Sequence, residues 1–396
     1  MSQPAPAVSP APPHFAARMR VFYAGFFLVG GVTVPFFPVW LQSRGLSAVE
    51  IADVIAIPAF IRVFLTPFAG VYADRAPSRR FATVTFVLPA ALIFLLAWGA
   101  EGFVPLLLIT GLSFTFYSLA QPPAEALALT GVRRFGIDYG RMRLVGSLAF
   151  IVANLGSGAL LSLFAGNSDA IFWSMLTALT VAAVVAFALP KTPPAIRALD
   201  DATRADTRPS LGIFTDRGVM VVLVASGLTA SSQAMLNSFA SIHWKLLHFT
   251  GIGIGALWAI GIVSEVSMFL WSRHAIKRFG PEMLLAAGMV ASMVRWAAFP
   301  FAPNIYAFGV LQAFHGLTFA ATYAGTQSLI ARMVPERNTA SVQGIFVMIS
   351  GVLLALVTAG SGPIYDAVGV YGFLAMVPVA GLGLVLLIAG RGFIRT

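Results

Sequence analysis

Two pairs of positions carry opposite charge inside apolar surroundings. Glu125 and Arg143 stand 18 residues apart, at the facing ends of two apolar runs. Further along, Glu265, Arg295 and His315 fall in three successive apolar runs, each about eleven to thirteen residues from an end. At 1.5 Å per helical residue that places the three at one depth, roughly 16–20 Å in. Charges at membrane depth are costly, so they face a partner or a wet cavity. The three residues point to one cluster that can bind an anion and exchange a proton; the alternative is a buried Glu265–Arg295 ion pair that only fixes helix packing. Polar and aromatic residues add candidates for a cavity wall: Gln233 and Asn237 one turn apart, and Trp258, with Tyr117, Tyr323, Gln343 and Trp296 behind them. Arg62 is also at membrane depth and either serves the same site or snorkels to the surface. Asp53 reads as interfacial.

The surrounding chain is apolar enough to require lipid. Of 396 residues, 58% are hydrophobic and 10% charged, against about 25% charged in soluble domains. Twelve segments of about 20 apolar residues can be laid out: 19–41, 48–72, 81–99, 103–130, 141–164, 169–189, 218–244, 253–274, 282–301, 304–331, 339–364 and 370–390. The first is too long for the core of a signal peptide. Of 25 Lys and Arg, 21 lie on the side of the N-terminus and only Arg44 and Lys245 on the other, with Arg62 and Arg295 inside segments. A miscounted helix would swap every later loop and destroy this bias. It therefore supports both the count of twelve and cytoplasmic ends. The charge of +10 thus reports topology rather than a nucleic-acid partner.

The expected organisation is an all-α membrane protein with twelve transmembrane helices in two six-helix bundles. Residues 1–17, rich in Pro, Ala and Ser, form a disordered cytoplasmic tail; 18–189 the N-terminal bundle; 190–217 a cytoplasmic linker; 218–396 the C-terminal bundle. This is the general plan of transporters that rock two halves about a midplane site. Nothing suggests an enzyme. There is no G-x-x-x-x-G-K-[ST] loop for ATP, no paired-His or H-E-x-x-H metal spacing, no catalytic triad, no cysteine and no filter loop of a channel. No catalytic residue, metal or cofactor is expected.

Several ordered motifs carry a resemblance. Gly70-Val71-Tyr72-Ala73-Asp74-Arg75, followed by Arg79-Arg80, resembles the signature loop of the major facilitator superfamily, G-x-x-x-D-R and a basic pair, here one residue late and with Pro77-Ser78 in place of Gly. Physically, Gly70 permits close helix contact, Asp74 can cap or pair at a helix end, and Arg75, Arg79 and Arg80 anchor to anionic headgroups. Gln121-Pro122-Pro123-Ala124-Glu125-Ala126-Leu127-Ala128 and Asp138-Tyr139-Gly140-Arg141-Met142-Arg143-Leu144-Val145-Gly146-Ser147 look like the phenylpropionate permease branch, with Val145 where Trp is usual and Glu125 where Asp is frequent. Gly255 to Val266, Val294-Arg295-Trp296 and Leu311 to Phe319 continue the match over nearly the whole chain. The same positions are distantly similar to the lactose permease group of proton symporters. Glu125 and Arg143 fall on its substrate-binding acid and arginine, Phe150 on its stacking aromatic, and Glu265, Arg295 and His315 on its C-terminal charges. Where that group carries its proton-bearing acid, this chain has Thr318, so the proton site does not transfer.

The resemblance implies an inner-membrane, proton-coupled symporter working by alternating access on a small organic solute such as an aromatic carboxylate, with a monomer sufficient. Substrate contacts would come from Glu125, Arg143, Phe150, Gln233, Asn237, Trp258 and Arg295; proton coupling from Glu265, His315 and Glu125; the conformational loop from Gly70, Asp74, Arg75, Arg79 and Arg80. The alternatives are a sugar or nucleoside proton symporter, a multidrug efflux antiporter and a non-transporting membrane receptor or assembly factor.

Overall fold

The computed structural model describes residues 12–164, 166–191, 216–335 and 338–394. Residues 1–11 of the expected tail and 192–215 of the expected linker lie outside them. The elements are helices. The first bundle holds α1 (Phe15–Ser43), α2 (Ala48–Arg75), α3 (Arg79–Gly99), α4 (Phe103–Phe135), α5 (Tyr139–Leu163) and α6 (Asp169–Ala186). The second holds α7 (Arg217–Leu246), α8 (Gly251–Phe279), α9 (Pro281–Phe301) and α10 (Ile305–Met333), then α11 (Thr339–Val368) and α12 (Met376–Ala389). The last two follow one another as continuous helical structure, an apolar stretch of 49 residues, Ser341–Ala389. A straight helix of that length would run roughly 74 Å, more than twice a hydrocarbon core. It turns back at Gly369, whose φ of 56° with ψ of −133° suits only a residue without Cβ. The count among the described residues is therefore twelve.

Lipid offers no partner for an open N–H or C=O, so helices are the form such segments take. Their ends are capped by side chains: Ser47 and Glu50 form a reciprocal box on α2, and Ser78, Asp138, Thr250 and Asn304 accept backbone N–H bonds at the starts of α3, α5, α8 and α10. α1 begins at Phe15, four residues before the apolar run, so the last three residues of the expected tail are helical. Phe15 earns that turn by packing on Phe135, rings 5.5 Å apart, and on Gly131.

Within the first bundle α1 lies against α5 and α6; within the second α7 lies against α11 and α12. The bundles meet where α2 packs on α11, α5 on α8, and α1 on the second half of α7. Adding six to each index turns α2–α11 into α8–α5, so the bundles are related by a pseudo-twofold. The contact is made by glycines. A Cβ on Gly158 of α5 would collide with the Gly251 carbonyl of α8, one on Gly255 would stand 2.6 Å from the Asn154 carbonyl oxygen, and one on Gly362 of α11 would stand 2.7 Å from the Ala52 Cβ of α2. All lie toward the membrane face opposite the N-terminus. One hydrogen bond joins the bundles there, Ile252 N–H to Ser162 Oγ at 3.2 Å. Among the described residues no ion pair crosses.

Candidate functional site

Three helices that carry predicted site residues are interrupted in mid-course. α4 restarts at Gln121, with prolines in its new first turn, because Pro lacks the N–H that would continue the ladder. α7 breaks between Ser231 and Ala234. α10 passes through a π-helical stretch, Gly316–Ala321, a form that recurs at functional sites. Glu125, Gln233 and His315 each sit at or just beyond such a break.

In the second bundle Arg295 is fully buried. Its guanidinium donates to Thr318 Oγ1 at 3.1 Å and to Gln312 Oε1, and lies 3.4 Å from His315 Nδ1. Its carbon stands 4.7 Å from the Trp296 ring centre. Its Nε has no partner, nor has the buried Gln233 Oε1. The alternative reading, a direct ion pair between Glu265 and Arg295, is not formed. Glu265 Oε2 instead meets His315 Nε2 at 3.4 Å, so the imidazole stands between carboxylate and guanidinium. Helical depth brought the three together; rotation about the helix axes decided the order. Thr318 accepts from Arg295 and, at 3.3 Å, from the Gln233 amide, which gives a neutral hydroxyl the place of an acid.

Beside this cluster is a cavity of about 230 Å³. Gln233, Asn237, Trp258, Gln312, His315 and Phe319 line it from the second bundle, and Phe150 with Val34 closes it from the first. The Trp258 indole is tied to Ser241 at 2.9 Å, and the His315 ring stacks on Phe319 at 5.4 Å. The cavity is below the roughly 300–1,000 Å³ of pockets for drug-sized ligands. A larger groove of about 600 Å³ between α1, α5 and α6 is lined mainly by apolar groups and opens past exposed Leu160, Phe164 and Trp173; its outlook is lipid.

Glu125 and Arg143 form a separate cluster. Arg143 Nε is 3.9 Å from Glu125 Oε1, with both side chains about a quarter to a third exposed. Glu125 Oε2 accepts from the hydroxyls of Tyr23 and Tyr139, each at 2.9 Å. The Arg143 guanidinium lies 3.7 Å over the Phe27 ring. Neither charge lines the 230 Å³ cavity, but Arg143 and Phe150 are seven residues apart on one face of α5, about 10 Å. The pair thus stands two turns from the cavity, toward the face that bears the N-terminus.

The signature loop behaves differently from its expected roles. Nothing lies within 4 Å of a Cβ on Gly70, so it makes no close helix contact. Asp74 is exposed and caps nothing; Ser78 caps α3 instead. Arg79 reaches the side of α4 more than a turn before its end, donating to the Ala126 carbonyl at 2.8 Å and to Thr130 Oγ1. Arg75 ends α2 and is exposed, and Arg80 opens α3 half-buried.

Tyr23, Phe27, Tyr139, Gln312 and Phe319 were missed as site residues. Tyr139 is one turn before Arg143, and Gln312 and Phe319 are one turn either side of His315, so the helical period pointed to all three. Tyr23 and Phe27 come from α1, and nothing local in the sequence aims them at Glu125.

These features have counterparts in known proteins. The sequence profile of the MFS_1 like family matches residues 16–374. The chain belongs to that family of the major facilitator superfamily. It is a multi-pass membrane transporter and not an enzyme. A "Probable 3-phenylpropionic acid transporter" of Escherichia coli (strain K12) is 25% identical over 363 residues, covering 90% of this chain and 93% of that protein. The maltose permease of Geobacillus stearothermophilus is 28% identical over 389 residues, covering 95% and 96%. The transporter also shares its fold with a solved variant of the nucleoside transporter NupG, at a TM-score of 0.82 and 16% identity over 96% of this chain and 100% of that one.

Proposed function

We propose that this transporter carries a small aromatic carboxylate, of the 3-phenylpropionate kind, together with a proton, across a bacterial inner membrane by alternating access. The observation that carries the reading is Arg295. It is a fully buried cation with no carboxylate within 4 Å among the described residues, held behind a single-ring-sized cavity walled by Phe150, Trp258 and Phe319. An isolated charge there is unfavourable by several kcal/mol in a low-dielectric surround, and an incoming carboxylate would offset it. The aromatic walls suit a ring. His315 and Glu265, 3.4 Å apart, are the proton carriers in this reading. A proton on that pair and an anion beside it attract across a few ångströms of low dielectric, so each favours the arrival of the other. Glu125 and Arg143 contact substrate on its way through the vestibule, and the 70–80 loop governs the inner opening. The side of the N-terminus is cytoplasmic by its basic excess, the closed glycine seam is then periplasmic, and one copy of the chain suffices.

The test is uptake of labelled 3-phenylpropionate into proteoliposomes with an imposed inside-alkaline pH gradient. Accumulation that collapses with the gradient, and fails in Glu265→Gln, is expected. Gradient-driven accumulation surviving the double change Glu265→Gln, Glu125→Gln sinks the proton assignment. The unpartnered Gln233 amide oxygen and Asn237 at the cavity wall also suit hydroxyls, which favours a sugar or nucleoside as second reading. The same liposomes given a nucleoside and sugar panel distinguish the two.

A further inference from the structure

Arg62 sits fourteen residues inside α2, about 21 Å from its start. Glu265 sits fourteen residues inside α8, which starts on the same face. Arg62 is therefore at the depth of the charge cluster, too far from either end for its side chain to reach headgroups. It makes one hydrogen bond, from Nη1 to Ser118 Oγ at 3.3 Å, and that hydroxyl spends its own proton on the Phe114 carbonyl at 2.7 Å. Among the described residues no carboxylate stands within 4 Å of it. A guanidinium has five N–H donors, so four are unused. Neither its Nε nor its Nη2 is among the buried atoms lacking a partner, so both open onto accessible space.

The helix itself says which space that is. Ile57, Phe60, Ile61, Phe64, Phe68 and Val71 are all exposed and, at 100° per residue, fall on one side of α2, the stripe of a helix facing lipid. Pro58 packs on Gly111 of α4, and Val63 packs on Gly351 of α11. At 100° per residue, the narrow arc between those two contacts holds Ala59, Arg62, Thr66 and Gly70. That arc is small, polar and turned away from the lipid stripe, toward the interior between the bundles. The embedded interior charges are then Arg62, Arg143 and Arg295 against Glu125 and Glu265, a surplus of one cation.

We infer that Arg62 is a carboxylate-binding residue of the inner vestibule, the group that receives or releases a monoanionic substrate on the first bundle while Arg295 serves the second. This rests on the reading of the substrate as an aromatic carboxylate. The unused donors of the planar fork match the two oxygens of a carboxylate, and the surplus cation matches one negative charge.

The experiment measures binding of 3-phenylpropionate and of its uncharged amide to the purified full chain in nanodiscs. The wild type is expected to prefer the acid by tenfold or more. Arg62→Gln is expected to lose most of that preference while still binding the amide, and Arg62→Lys to keep part of it. In the unaltered protein, 3-phenylpropionate should protect Arg62 from phenylglyoxal, read by mass spectrometry, which does not depend on any variant folding. An acid preference that persists in Arg62→Gln, or an Arg62 modified equally fast with and without the acid, overturns the inference and leaves the substrate class standing. A wild type that binds neither probe overturns the substrate class, and the inference with it.

Discussion

Arg295 shows how one side chain can organise a buried site. Its fork reaches Thr318 and Gln312 on neighbouring turns of α10 and lies beside His315. A lysine at this position keeps the charge but cannot bridge three partners from one plane. Arg295→Lys is expected to lower stability by about 1.5–3 kcal/mol, the scale of one hydrogen bond to a charged group, seen as a drop in the melting temperature of the purified protein. Glu265→Gln should behave oppositely. The amide oxygen can still accept from His315, so the melting temperature should stay within the range of about 1 kcal/mol, while coupling to the pH gradient disappears and substrate exchange continues. A Glu265→Gln protein that melts far earlier would make the 3.4 Å contact a structural strut rather than a proton site. At this scale the sequence was a good guide to which residues stand together and a poor one to how they pair. Apolar context marks Glu265, Arg295 and His315, because a charge among leucines needs a reason. Their pairing depends on how α8, α9 and α10 are rotated against one another, and a linear pattern fixes depth but not rotation between helices.

The helices carry the next level of meaning. All twelve spans were legible from hydropathy and length, including the separation of 339–364 from 370–390, and the turn at Gly369 falls between those last two. Breaks in α4, α7 and α10 were partly legible: Pro122 and Pro123 announce the first, whereas the π-helical stretch after His315 has no sequence signal of its own. The seam between bundles is the element most open to test. At Gly158 even one carbon would collide with the Gly251 carbonyl, so Gly158→Val forces the helices apart at a cost of about 1–3 kcal/mol. That is enough to shift a two-state population by roughly tenfold. The chain has no cysteine, so Asn154→Cys, buried in the seam, gives a clean reporter. Its labelling by a membrane-impermeant maleimide should rise at least several-fold in the Gly158→Val background. Unchanged labelling would mean that the seam tolerates the extra volume and does not gate.

For the whole molecule, the distribution of Lys and Arg predicts orientation independently of any contact. Ser43→Cys, next to Arg44, is expected to react with the impermeant reagent in intact cells, and Arg134→Cys only after permeabilisation. The reverse pattern would invert the protein and make the closed seam cytoplasmic. The seam also predicts how the molecule responds to its surroundings. It is made of glycine, backbone and one neutral hydrogen bond, and among the described residues no ion pair crosses it. Salt screens exposed charges over about 10 Å at 0.1 M and about 3 Å at 1 M, and here it has no ion pair to screen. Opening and closing of the outer face should therefore proceed at the same rate in dilute buffer and in brine, and any ionic-strength dependence of the whole cycle would have to arise at the charged inner vestibule.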